Sequence, residues 1–411
     1  MSYLKNLLIN LRSRNYLLAI SYGILSSFIW GFFSWALPVV IKILGGVWIL
    51  GMTYTIEKIL STPLMFLSGI GMDHYGRKKI IVFGTLIRAL ALALMIIGLF
   101  NPLILIIASA MFLSSRWIIS DALDLLIVES VKNGIRATAL SFKRSALLIS
   151  SIVGSILLSM VASTSNLRIV MILSLLLSLT TIVITLMLKE TLKLSYKTHE
   201  KQKIFLCKFQ HIISKLRVLK RKHILLISII GCLLTMSSTI ASLYLPVYFY
   251  DFLNIEFATL GIVYAASKCL GILANIIAGR IIDSYGPLKS LFTSLASIGF
   301  LLFVISLSRS FLIVAIAFLL ISLVEPLGSI GIDILLVNVT VPKERGTVFG
   351  ALGSLSTLFS LAAPMLGALL WSILPPLTIL SASFIIFLSL IPIVLLTMQV
   401  RKHEARKSSE N

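Results

Sequence analysis

The sequence predicts an all-α integral membrane protein of twelve transmembrane helices in two six-helix bundles, with both termini cytoplasmic. Three observations carry that expectation: the composition, the number of apolar runs of spanning length, and a repeat that divides the chain in two. Of 411 residues, 58% are hydrophobic and 12% charged, and the mean hydropathy is +1.05. A soluble chain of this length cannot hide so much apolar surface, because its interior grows too slowly with size. A bilayer can accept it.

A spanning helix needs about 20 mostly apolar residues. Runs of that length, cut by Gly, Pro, Asn or charge, fall at 16–43, 47–72, 80–100, 103–128, 138–163, 167–188, 224–250, 257–282, 288–308, 311–338, 346–372 and 376–399. Lys and Arg set the orientation. With the N-terminus inside, both tails and the even-numbered connections hold roughly 29 of the 36 Lys and Arg residues. The external loops keep little beyond Lys42, Arg168 and Arg309.

The domain plan follows: a first bundle over 1–188, a basic cytoplasmic linker over 189–222, a second bundle over 223–400, and a cytoplasmic tail over 401–411. In the linker, Ile204, Phe205, Phe209, Ile212, Ile213 and Leu216 recur at near-helical spacing among lysines. That pattern predicts an amphipathic helix on the anionic cytoplasmic leaflet. The formal charge of +21 is thereby assigned to the membrane surface and not to nucleic acid. Cys207, Cys232 and Cys269 lack a CxxC spacing or a nearby histidine cluster, which argues against a disulfide framework or zinc site. Residues 1–15 are basic and show no cleavage site, so the first span is expected to act as the targeting signal.

Two copies of one plan follow each other at an offset of about 209 residues, the kind of repeat that identifies duplicated architectures. Leu37-Pro38-Val39 recurs as Leu245-Pro246-Val247, and Lys58 as Lys268. Gly69-x3-Asp73-x-Tyr75-Gly76 recurs as Gly279-x3-Asp283-x-Tyr285-Gly286. Asp124-Leu125-Leu126 recurs as Asp333-Ile334-Leu335, and Arg136-x-Thr138 as Arg345-x-Thr347. Six helices return the chain to its starting side, so the halves share one topology. Parallel repeats of this kind place a substrate site between them near the midplane.

The stretch Gly69-Ile70-Gly71-Met72-Asp73-His74-Tyr75-Gly76-Arg77-Lys78-Lys79 resembles the loop between the second and third helices of the major facilitator superfamily, and Gly279 to Lys289 is a worn copy. Leu188-Lys189-Glu190-Thr191 is similar to the tail after the sixth helix of that family. Pro342-Lys343-Glu344-Arg345-Gly346 is similar to its loop after the tenth. The resemblance covers all twelve spans and implies that fold. It also implies that Gly69, Asp73, Gly76, Arg77 and Lys78, with Gly279, Asp283 and Gly286, form a cytoplasmic gate that latches the halves. Asp124 and Asp333, near the ends of the fourth and tenth spans, are expected to pair with loop cations, Arg77 and Lys289. An ordinary solvated turn is the alternative.

Charges at membrane depth are costly unless paired or hydrated, and therefore mark function. Arg116 lies ~18 Å above the cytoplasmic end of its span at 1.5 Å per residue. Phe112-x3-Arg116-x2-Ile119-Ser120 resembles a fourth-helix pattern of proton-driven members, with Ile119 and Ser120 departing from it. In the repeat, Arg116 corresponds to Glu325. One reading makes Glu325 the protonatable group and Arg116 its tuning partner or the holder of an anionic substrate; the other makes them a permanent ion pair. Asp121 is a second proton candidate. Lys58, beside Glu57, and Lys268 either line the cavity or pair with neighbouring carboxylates. Arg88 is read as structural. Trp30 and Tyr244 stand among aromatics on the first and seventh spans, which line the cavity in the family.

No Gly-x4-Gly-Lys-Ser/Thr, nucleophile–base pair or metal cluster stands out, so an enzyme, an ATP-driven pump and a cofactor are not expected. The leading expectation is a secondary active transporter working by alternating access in the cell membrane, most simply a monomeric proton-coupled exporter of small molecules. An uptake symporter for an organic anion or polar nutrient is the alternative, since the fifth span reads Ser150-Ser151-Ile152-Val153-Gly154-Ser155 without the proline usual in drug antiporters. A related Ala363-Pro364-Met365-Leu366-Gly367-Ala368 appears in the eleventh span. A non-transporting sensor is the third reading.

Overall fold

The computed structural model describes residues 13–131, 136–162, 166–191, 222–340 and 345–410. Most of the expected linker, with its amphipathic helix, lies outside them. Every regular element among the described residues is helical: α1 (Arg14–Tyr75), α2 (Arg77–Gly98), α3 (Pro102–Ser130), α4 (Arg136–Val161), α5 (Leu167–Met187), α6 (Lys222–Val247), α7 (Phe257–Tyr285), α8 (Pro287–Leu307), α9 (Phe311–Val339), α10 (Arg345–Phe359), α11 (Ala363–Ile373) and α12 (Pro375–Glu410). A π turn (Tyr248–Phe252) extends α6, and a 3₁₀ turn (Ser360–Ala362) joins α10 to α11.

Among the described residues, eleven helices are long and apolar enough to cross a membrane. The first of them, α1, runs for 62 residues but breaks at Gly46, whose φ of 80° leaves the helical range. That conformation is open to glycine and resisted by other residues. The break falls between the expected first and second spans. Similarly α10, the 3₁₀ turn and α11 occupy one expected span, interrupted just before Pro364. At the C-terminus, α12 continues through the expected tail to Glu410.

The chain forms two compact units: Met1–Ser195 with Phe249–Ala266, and Tyr196–Tyr248 with Ser267–Asn411. The repeat assigns 249–266 to the second half, whereas its packing belongs to the first unit. Trp35 stacks on Tyr264 with centroids 5.5 Å apart and packs against Phe257 at 6.0 Å. Ser155 donates to the carbonyl of Gly261 at 3.3 Å, and Lys42 pairs with Asp251.

In the first unit, α1 packs against α3, α4 and α5, and α2 against α3 and α5. Small residues allow close approach, as is usual where lipid removes the hydrophobic drive between helices. A side chain on Gly31 would strike the backbone of Ser151, and one on Gly154 the backbone of Phe28. Ser150 donates to the Ile24 carbonyl at 2.7 Å, and Trp35 Nε1 to Ser155 at 2.9 Å. In the second unit, Ser237 donates to Ala382, Ser383 to Gly299 and Ser294 to Val324, all at backbone oxygens. Outward faces carry large apolar side chains, Phe100, Leu103, Leu307 and Leu312 among them. Lipid is the solvent those faces require.

Candidate functional site

A cavity of ≈ 140 Å³ opens inside the first unit among α1, α2, α3 and α4. Its lining mixes apolar side chains, Ile29, Phe112, Leu123 and Leu147, with the polar Tyr22, Ser26, Ser27, Ser115 and Ser120. Three cations, Arg88, Arg116 and Lys143, line it, and none of its lining residues is acidic.

The three cations are not equivalent. Lys143 is buried and paired with Asp124, so its charge is balanced locally. Arg88, 5% exposed, donates to Ser26 and, at 2.8 Å, to Thr181. Its guanidinium lies 5.5 Å from the centroid of the Tyr22 ring, whose hydroxyl is hydrogen-bonded to Thr85 at 3.1 Å. The buried Nε of Arg88 has no partner among the described residues. Arg116 differs from both. Its guanidinium rests 4.4 Å over the Trp30 ring, which stacks on Phe112 at 5.8 Å. Among the described residues of its unit, no carboxylate, carbonyl or hydroxyl stands within hydrogen-bond reach of it. A ring face holds a cation without using any N–H donor. The fork of Arg116 is therefore fixed and unspent.

Of the residues expected at a substrate or proton site, Arg116 and Trp30 line this cavity, and Arg88 joins them although its sequence context suggested a structural role. The sequence reading missed Lys143; its signal was a cation several residues inside the fifth apolar run. Asp121 is exposed on α3, within electrostatic range of Asp124 and Lys143. Glu57 is buried and accepts a hydrogen bond from Trp117 Nε1 at 3.3 Å, with Lys58 half-buried beside it. Neither lines the cavity. Glu325 and Lys268 belong to the second unit. Glu325 lies on an exposed face of α9 before Pro326, its carboxylate without a hydrogen bond or ion pair among the described residues of its unit. Tyr244 departs from the expectation: it is fully buried, stacks on Trp371 at 5.7 Å and donates its hydroxyl to the Pro364 carbonyl at 2.7 Å. A buried phenol needs such a partner. Gly367 leaves room for its ring, which gives the glycine of the α11 motif a packing role.

The two glycine-ended loops share a backbone turn and differ in wiring. Gly76 and Gly286 have φ of 96° and 83°, in the region that favours glycine. After Gly76, the N–H groups of Arg77 and Lys78 each donate to Glu190 at 3.0 Å. A carboxylate there satisfies orphan donors and complements the helix dipole. The side chain of Arg77 pairs with Glu129 at 3.0 Å and donates to the Met72 carbonyl at 2.8 Å. This replaces the expected pairing with Asp124, because Lys143 takes that carboxylate. Lys78 donates to the Leu186 carbonyl at 2.8 Å. Asn15 exchanges two hydrogen bonds with the backbone of Lys189, at 3.1 and 2.9 Å, anchoring the segment that carries Glu190. In the second loop Pro287 begins α8; it has no N–H to cap and is suited to that position. Asp283 and Asp333 are exposed, and neither has a partner among the described residues of its unit. Gly69 and Gly279 lie within helices, and the side chain of Asp73 lies outside what the structure describes. Among the described residues no three His, Cys, Asp or Glu side chains gather to hold a metal ion.

A family model described as Major Facilitator Superfamily matches residues 18–321 and, in a second alignment, 227–411. Among curated proteins no sequence match was found. Solved structures similar to the chain include the nucleoside transporter NupG, with TM-score 0.75 and 13% identity over 94% of this chain and 98% of that one. The D-xylose-proton symporter aligns with TM-score 0.69 and 10% identity over 90% and 97%. The human organic anion transporter MFSD10 aligns with TM-score 0.62 and 15% identity over 93% and 99%. At these identities the likeness establishes the fold, and the cargoes of these transporters differ too much for the fold to select one.

Proposed function

The chain belongs to the major facilitator superfamily, and from that premise we propose that it is a proton-coupled secondary transporter whose substrate chamber includes the cavity around Arg116. Membership makes it a multi-pass membrane transporter of small molecules and not an enzyme. Twelve crossings follow if the two arms of α1 on either side of Gly46 each span the bilayer; both termini then face the cytoplasm, as the distribution of Lys and Arg supports. The two repeats are the moving parts of alternating access. The reading of the gate is that the network Arg77–Glu129–Glu190 holds the cytoplasmic ends of α2, α3 and α5 as one block.

The observation that carries the proposal is an arginine inside a long apolar helix that lines a cavity with no acidic lining residue. A guanidinium is not left so without a use for it, since the cost of taking it from water is several kcal/mol. Glu325, a carboxylate in an apolar helix, is the residue assigned to proton coupling. The cations lining the cavity favour carriage of an anionic or polar compound over export of cationic amphipathic ones, which they repel.

Substrate-evoked proton movement in proteoliposomes, under an imposed pH gradient, tests the proposal with cationic drugs, organic acids and sugars as the panel. At least one compound is expected to evoke proton movement that Glu325→Gln abolishes. Substrate flux that proceeds without protons and survives in Glu325→Gln would refute the coupling.

A further inference from the structure

The cavity around Arg116 has a chemical polarity that specifies more than a transported small molecule. We infer that it is a carboxylate site: it takes a small organic monocarboxylate whose carboxylate engages the free fork of Arg116 and whose apolar body lies against Phe112 and Leu123. The inference rests on the reading of this cavity as part of the substrate chamber.

Four observations converge on it. Arg116 is held by Trp30, 4.4 Å below it, with no other partner among the described residues of its unit, and the fork keeps donors that match two carboxylate oxygens in plane. Trp30 is itself fixed by stacking on Phe112, which also packs against Phe33 at 5.1 Å. The cation is thus oriented before a ligand arrives, which reduces the ordering cost of binding. Second, the other cations bias the field without competing for the same role. Lys143 is neutralised by Asp124, while Arg88 is anchored by hydroxyls and keeps one buried, unpartnered Nε–H. The lining therefore carries a net positive charge near two, suited to one anion and adverse to a cation. Third, hydroxyls accompany the guanidinium: Ser120 stands one helical turn from Arg116, and both line the cavity. They can hydrogen-bond a carboxylate oxygen that the fork leaves free. Fourth, much of the lining is apolar. A sugar would leave hydroxyls unmatched against it, and an inorganic anion would leave it wet. An acid with a hydrocarbon body suits both the cations and the apolar residues.

The residues divide by role. Arg116 is the binding residue. Trp30 is a positioning residue, acting through the cation it holds. Replacing arginine by lysine keeps the charge and loses the planar fork, so the two changes separate attraction from geometry.

The test is binding, measured apart from transport. The full chain, purified in detergent, is titrated calorimetrically with acetate, benzoate and phenylacetate, and with benzamide and benzylammonium as neutral and cationic counterparts of benzoate. Benzoate or phenylacetate is expected to bind saturably and both counterparts to fail. Arg116→Gln should weaken the acid about 10–100-fold, the range of a lost hydrogen-bonded charge contact. Arg116→Lys should weaken it less. Thermal unfolding of each variant checks that folding is retained; Arg116 has no ion pair among the described residues of its unit whose loss would endanger it. The inference is overturned if none of the three acids binds, if benzylammonium binds as tightly as benzoate, or if folded Arg116→Gln binds the acid as the parent does. Acid that binds through Arg116 but evokes no flux in proteoliposomes would uphold the site and refute the transport reading.

Discussion

The close crossing of α1 and α4 supports a prediction whose size follows from the structure. A Cβ built on Gly154 would lie 2.7 Å from the carbonyl carbon of Phe28 and 2.9 Å from its Cα, with the carbonyl oxygen nearer still. One built on Gly31 would meet Ser151 at 2.9 and 3.0 Å. Carbon to carbonyl oxygen normally approaches no closer than about 3.3–3.6 Å. The obstruction is backbone on both sides, so no rotamer relieves it and the helices must part by about 1 Å. A gap of that size forfeits a quarter to a half of the dispersion energy across the crossing. Some 20–30 atom pairs at about 0.1–0.2 kcal/mol each then lose about 0.5–3 kcal/mol, which overlaps the usual cost of overpacking. The Ser150–Ile24 and Trp35–Ser155 hydrogen bonds stretch as well, at about 0.6 kcal/mol each in a membrane. Gly154→Ala and Gly31→Ala should each therefore cost about 2–4 kcal/mol. In a cooperative unit of about 200 residues that lowers the melting temperature by roughly 5–10 °C. The double variant should cost less than the sum, since the first substitution already makes room for the second. The assay is thermal unfolding in detergent, followed by intrinsic fluorescence. Gly279→Ala is the control: its Cβ would meet nothing within 4 Å, and alanine favours a helix by about 0.5–1 kcal/mol. If either crossing variant melts with the parent, or the double variant is additive, the reasoning about this contact fails.

Two further predictions follow from the loops and the buried lysine. Gly286→Ala should cost only about 1–3 kcal/mol of backbone strain, because its φ is positive but the space around it is open. Gly76→Ala should cost more, since its side chain also meets the Glu190 carboxylate. Glu190→Ala, which uncaps α2, should cost about 1–2 kcal/mol, and melting curves of the three variants rank them. Asp124→Asn leaves Lys143 buried beside a neutral amide. Removing one partner of a fully buried pair costs about 3–5 kcal/mol; with the Asp124 side chain 38% exposed, about half of that is expected. The double change Asp124→Asn, Lys143→Met should recover most of the loss, and a double-mutant cycle on melting temperature checks it.

Much of this protein is legible without coordinates because the bilayer is a strict solvent. It demands helices, sets their length, and sorts lysines and arginines to one side, so composition and periodicity expose the spans directly. The repeat is equally visible, since Gly76 and Gly286 answer a backbone requirement that few residues can meet. Arg116 stood out for the same reason: charge is expensive at depth wherever it occurs along the chain. What the sequence does not carry is which partner each group finds. Asp124 was legible as a carboxylate near a helix end, but only packing decides between Arg77 and Lys143, because the choice depends on which helix face α4 presents. Tyr244 read as cavity-lining and is sealed against Trp371 and Pro364. Gly154 stood in a fifth span notable in the sequence only for its missing proline, and is a close contact between α1 and α4. Sequence fixes the transfer energies of residues one at a time; the tertiary structure fixes distances between residues far apart in the chain, and pairing, burial and an unspent arginine fork are all properties of those distances.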